Sequence, residues 1–128
     1  MLYAILCYNS EEVLGAWTQA EDDAVMARLD VVHKRLEAEG KLGPAARLAF
    51  TSAATTLMKG HQPPLVVDGP YAETKEQMLG FYVVDCESQD EAVAIAQDLE
   101  RANPGIGGYE IRPVRLFLPG SSTGTRGG

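Results

Sequence analysis

Asp68, Glu73, Lys75 and Glu76 place four ionisable side chains within nine consecutive residues, Asp68-Gly69-Pro70-Tyr71-Ala72-Glu73-Thr74-Lys75-Glu76. The chemistry open to such a cluster is proton transfer. A carboxylate held partly buried at a strand end has its pKa raised by desolvation and can then exchange a proton near neutral pH. Asp68 is the first candidate for that role. Gly69 and Pro70 would fix the turn after it, and Tyr71, Glu73, Thr74, Lys75 and Glu76 would line a polar ligand pocket with it. The architectural alternative is that Asp68 accepts backbone N–H bonds within its turn, while Glu73 and Glu76 flank Lys75 in a solvated ion-pair cluster of little energetic weight. Residue types alone leave both open.

Arg112 is the next candidate, because an arginine in an otherwise apolar strand needs a carboxylate partner or an anionic ligand. Asp68, Glu73 and Glu76 are the internal partners the sequence offers. His33 follows Leu29 by four residues and precedes Leu36 by three, which sets it at the flank of an apolar helical stripe as a second acid/base candidate. His61 falls in a Gly/Pro loop and is expected to face solvent. Neither histidine has a second ligand at HxxxH or HxH spacing, so no metal site and no cofactor is predicted. Cys7 and Cys86 sit in apolar runs without CxxC spacing and read as core or near-core thiols. No GxGxxG, P-loop, GxSxG or HExxH motif occurs. Tyr3 and Tyr82 lie on expected strands, but period two does not decide which face each occupies.

The elements that must position these groups follow from periodicity. Residues 2–8 form a continuous apolar run of strand length, and the segment around Trp17 is compatible with a short helical turn. The spacing of Val25, Leu29, Val32 and Leu36 predicts a helix over residues 22–40. Residues 47–58 favour strand with a bend at Ser52-Ala53-Ala54, and residues 60–64 are a loop by composition. Strands are predicted over residues 65–67, 79–86 and 109–118. Between the last two, Ser88 to Glu91 reads as a capping box that opens a helix carrying Ala92, Ile95, Ala96, Leu99 and Ala102 on one face. Residues 119–128 lack anchoring side chains and are expected to be disordered. One domain therefore covers residues 1–118. Its order of elements predicts an α+β, ferredoxin-like split βαβ sandwich, an antiparallel sheet with both helices on one face.

Three segments carry a resemblance to a known family. Asp68 to Glu76, Gly80-Phe81-Tyr82, and Glu110-Ile111-Arg112-Pro113 occur in the order and spacing of the YCII-related proteins, in their DGPF-domain branch, with Tyr71 where that branch usually has Phe. The resemblance implies a dimeric α+β barrel, in which two subunits pack sheet to sheet, so a homodimer is expected. It also implies acid/base chemistry on a small organic molecule, lyase- or isomerase-like, by a helix histidine paired with the Asp before Gly-Pro. Counting back from Gly40-Lys41-Leu42 puts the family's histidine near Leu29 or Asp30, one turn before His33. The same resemblance carries an alternative, a ligand-binding or regulatory module linked to sigma-factor-associated transcription.

Composition narrows the partners. A net charge of −7 and a pI near 4.7 argue against binding nucleic acid or anionic membrane, both of which need cations facing phosphate. No window approaches the roughly 20 apolar residues of a membrane span, and nothing at the start of the chain has the layout of a secretory signal. A cytoplasmic location is the expectation.

Overall fold

Leu2–Asn9 forms β1, an interior strand of a sheet that buries Tyr3 and Ile5 on one face and leaves Ala4 and Leu6 half-buried on the other. The structure is a computed structural model and describes residues 1–121. The expectation of a disordered tail falls, for residues 122–128, outside the described residues.

After β1 come α1 (Glu11–Gly15), α2 (Gln19–Ala38), β2 (Leu42–Arg47), a 3-10 turn at Thr51–Ala53, β3 (Thr55–Met58), β4 (Leu65–Asp68), β5 (Gln77–Asp85), α3 (Gln89–Ala102) and β6 (Gly108–Pro113). The main sheet runs β2-β5-β1-β6, with each neighbouring pair antiparallel. The units β1-α2-β2 and β5-α3-β6 each straddle a strand of the other, which is the split βαβ arrangement. The fold is α+β and ferredoxin-like, as the order of elements predicts.

Both helices lie on one face because their apolar stripes need the same cover. Val25, Leu29, Val32 and Leu36 are the buried residues of α2, and Ala92, Ile95, Ala96, Leu99 and Ala102 those of α3. They close a core over Tyr3, Ile5 and Val84 of the sheet, with Trp17 packed at its margin. α2 begins earlier than periodicity suggests, because Thr18 and Glu21 form a reciprocal capping box that satisfies both backbone donors. Arg35 Nη2 donates to Asp98 Oδ2 at 2.6 Å and ties α2 to α3 outside the core.

Three elements depart from the sequence expectation, the first being the last strand, expected over residues 109–118, which ends at Pro113 as β6. β2 occupies Leu42–Arg47, where Gly43, Pro44, Ala45 and Ala46 are poor strand formers. It forms because it is an edge strand templated by β5, where a proline costs no ladder bond on its open side. The close approach also explains Gly80: a Cβ there would stand 2.7 Å from the Ala46 carbonyl oxygen. The predicted strand block over residues 47–58 shrinks to β3, which pairs only with β4 in a separate hairpin. Leu57, Leu65, Val66 and Val67 of that hairpin are exposed.

The sheet face away from the helices carries Ala4, Leu6, Phe81 and Val83, which alternate with the helix-facing Tyr3, Ile5, Tyr82 and Val84. Of the four, only Val83 is buried in the single chain.

Candidate functional site

A cleft of about 240 Å³, partly open to solvent, lies between α2 and the helix-facing side of the sheet. Val25, Met26, Leu29 and His33 come to it from α2, Cys7 from β1, Tyr82 from β5 and Tyr109 from β6. The spacing of Leu29 and His33, one helical turn apart, aims both at the same space. Tyr82 meets them because it shares its strand face with Val84, two residues on, which is fully buried in the core.

His33 Nε2 and the Tyr82 hydroxyl are 2.7 Å apart, a short hydrogen bond. The two rings are tilted at 53°, with centroids 5.3 Å apart. Burial pushes the Tyr82 hydroxyl up to about 12, with Cys7 adding to the shift and Arg47 opposing it, so the phenol keeps its proton at neutral pH. Burial likewise pushes the Cys7 thiol up to about 12 and raises Tyr109 well above the usual phenol range. Cys7 is therefore a protonated, weakly polar wall and no thiolate nucleophile. At the rim, Arg47 Nη2 pairs with Asp22 Oδ1 at 3.0 Å, and its other terminal nitrogen lies 3.3 Å from Met26 Sδ.

These shifts have one sign and set an alkaline limit on stability. In each case the folded value lies above the ordinary one, 9.0 for the Cys7 thiol and 10.0 for Tyr82, so the stabilisation is complete below about pH 9. It is lost as pH climbs towards 12, where the buried groups ionise. Urea titrations between pH 7 and 11 are expected to show midpoints falling above pH 9. The decline should be shallower in Tyr82→Phe, and a flat profile in the unmodified protein would contradict the burial of these groups.

The Asp68 segment lies elsewhere. Asp68 ends β4 opposite Thr55, exposed, and its carboxylate makes no hydrogen bond or ion pair among the described residues. The turn after it is held by other atoms: Gly69 N donates to Ala54 O at 2.8 Å, and Thr56 Oγ1 donates to Gly69 O at 2.8 Å. Gly69, Pro70, Glu73 and Thr74 line a second, more open cleft of about 400 Å³ with Glu11, Thr51 and Gln77. Glu11 organises it, accepting from Thr51 N at 2.5 Å and Thr51 Oγ1 at 2.6 Å. Tyr71 is 80% exposed, and Tyr71, Lys75 and Glu76 line neither cleft.

Arg112 differs from expectation in its partner. It lies on the sheet face away from the helices, beside Ala4, and its nearest carboxylate is Glu110 at 3.9 Å. Residues two apart on a strand share a face, which brings Glu110 rather than the Asp68 segment to it. The side chain is 68% exposed, so no buried internal ion pair forms.

The structure thus gathers His33 with Tyr82, Cys7, Tyr109 and Asn103, and separates this group from the Asp68 segment. Sequence reasoning reached His33 and left the face of Tyr82 open. Asn103, just beyond the apolar stripe of α3, carries no site signal in the sequence. Among the described residues no three His, Cys, Asp or Glu side chains gather as a metal site, and no helix is long and apolar enough to cross a membrane.

Residues 1–118 match the YCII-related domain. Over 120 residues the chain is 54% identical to an uncharacterized protein of Rhizobium meliloti, a match that spans 94% of this chain and 97% of that relative.

Proposed function

This chain belongs to the YCII-related domain family, and from that premise we propose that it is a homodimer that binds a small organic molecule in the cleft between α2 and the sheet and moves a proton on it. The observation that carries the reading is the 2.7 Å contact of His33 with Tyr82 inside an otherwise largely apolar cleft. A histidine bonded to a neutral phenol supplies both halves of acid/base chemistry. With Nε2–H donating to the Tyr82 oxygen, the phenolic hydrogen is free to bond an oxygen on the ligand, and Nδ1 is the base. A proton taken from a carbon beside that oxygen and returned at another carbon is an isomerisation; expulsion of a leaving group instead is a lyase step.

Leu29 and His33 both line this cleft, so the turn that separates His33 from the expected family position does not take it out of the site. We assign the chain to the DGPF branch on Asp68-Gly69-Pro70-Tyr71. Asp68 is the second candidate acid/base group, since its carboxylate is committed to nothing else among the described residues and is free to meet a ligand. Arg112, Glu73 and Thr74 remain ligand-binding candidates outside the main cleft.

A thermal-shift screen of small organic molecules against the unmodified protein, His33→Gln, Tyr82→Phe and Asp68→Asn tests this reading, with turnover measured on any hit. Asp68→Asn is expected to have a stability within about 0.5 kcal/mol of the unmodified protein, as exposed substitutions usually do. A hit should stabilise the unmodified protein and bind at least tenfold more weakly to His33→Gln and Tyr82→Phe. A hit lost only in Asp68→Asn moves the site to the hairpin, and equal binding by all four proteins removes the proton-transfer reading.

The regulatory alternative has one observation in its favour. Leu57, Leu65, Val66 and Val67 expose an apolar hairpin apart from the main sheet, a surface suited to another protein. On that reading the ligand controls docking, and neither His33 nor Tyr82 affects chemistry.

A further inference from the structure

One residue of the cleft wall carries a buried polar atom that neither the fold nor the His33–Tyr82 pair uses. Asn103 ends α3, where its backbone N–H donates to Leu99 O and Glu100 O at 3.0 and 3.1 Å, and its residue forms part of the cleft wall. Its side-chain oxygen, Oδ1, is buried and has no hydrogen-bond partner among the described residues. Buried amide oxygens are nearly always paired, so this atom marks a place where a donor belongs.

Size and charge narrow what brings that donor. An engineered apolar cavity of about 150 Å³ takes up benzene, so a cleft of about 240 Å³ accommodates a single ring with small substituents. Val25, Leu29, Met26 and Tyr109 give the ring apolar surface. Asp22 and Arg47 at the rim neutralise each other, which leaves no spare arginine or lysine among the described lining residues to hold a carboxylate.

We propose that the ligand of this cleft is a neutral, single-ring organic compound with a hydroxyl or N–H donor that Asn103 Oδ1 accepts. The proposal rests on the cleft being the binding site and names the class of molecule it takes. Asn103 is then a specificity-determining residue: it selects for the donor and leaves the apolar part of binding untouched.

Calorimetric titration of phenol, anisole, toluene and benzoate into the unmodified protein and Asn103→Leu tests it. Phenol is expected to bind the unmodified protein at least tenfold tighter than anisole, its methyl ether, which lacks the donor. In Asn103→Leu that preference should shrink to about twofold while toluene binds as before, showing the cleft intact. Should Asn103→Leu fail to fold, Asn103→Ala gives the same comparison.

Equal binding of phenol and anisole by the unmodified protein overturns the donor, as does a preference that survives in the variant. Benzoate binding tighter than phenol overturns the neutral class. If none of the four binds while the metabolite screen yields a ligand lost in Tyr82→Phe, the ring class is overturned and the site stands. If both experiments fail, the site falls with it.

Discussion

Gly107→Ala is expected to destabilise the protein by about 4 kcal/mol, more than any other single methyl addition on the main sheet. Gly107 has φ +120°, a conformation that side chains rarely adopt, and it sits where β6 begins against the end of β1. A Cβ there would fall deep inside the Tyr8 carbonyl group, 2.8 Å from its carbon, and 3.0 Å from the Asn9 Cα. Those atoms are backbone, so relief requires β6 to move away from β1.

Gly105→Ala separates the two causes. Its φ of +145° is also strained, but no heavy atom beyond its neighbours lies within 4 Å of the added carbon. It should cost only the backbone term, of order 1–3 kcal/mol. Urea titration of both variants checks the difference, and equal midpoints would mean that β6 accommodates the methyl group at no cost. Because Tyr8, Asn9 and Tyr109 all line the cleft, the displacement caused by Gly107→Ala should weaken ligand binding as well.

The parts of the fold that were legible in the sequence are those decided by local pattern. Val25, Leu29, Val32 and Leu36 on α2 and Ala92, Ile95, Ala96, Leu99 and Ala102 on α3 are stripes at helical spacing, and each predicted face is the buried one. Ser88 does cap α3, accepting from Glu91 N at 3.2 Å, although the Glu91 side chain does not return to the Ser88 backbone to complete the expected box. β2 was not legible, because Gly43-Pro44-Ala45-Ala46 has no strand preference of its own and is extended only by the bonds β5 offers it.

The site was legible in pieces. His33 could be placed beside the apolar stripe from spacing, but its partner comes from β5, and the face of a Tyr in an all-apolar strand is undetermined until the helices are docked. Asn103 follows the last buried alanine of α3, where a polar residue is an ordinary helix stop. Only the tertiary arrangement turns its side chain into part of a cleft wall. Asp68 shows the converse, a conspicuous motif whose carboxylate plays no part in holding its own turn.

Phe81→Asp is expected to convert the proposed homodimer into a monomer. Phe81 lies near the middle of the face turned away from α2 and α3, paired with Leu6 on one side and Ala46 on the other. Ala4, Leu6 and Phe81 are only half-buried in the single chain, whereas Tyr3, Ile5 and Val84 on the opposite face are buried under the helices. A sheet-to-sheet dimer would bury this surface, and an aspartate at its centre would leave an unpaired charge without water on each side of the two-fold axis. That penalty is several kcal/mol, which weakens association by roughly a thousandfold or more.

The protomer itself should survive, since in the monomer the introduced carboxylate would face solvent and touch none of the helix-facing core. Val31→Asp, on a 70% exposed site of α2, is the matched control and should leave the assembly unchanged. Sedimentation velocity at micromolar concentration distinguishes the outcomes. A monomeric unmodified protein ends the homodimer proposal. A Phe81→Asp dimer as stable as the unmodified one moves the interface off this face, with the apolar hairpin at Leu57 and Val66 the next surface to substitute.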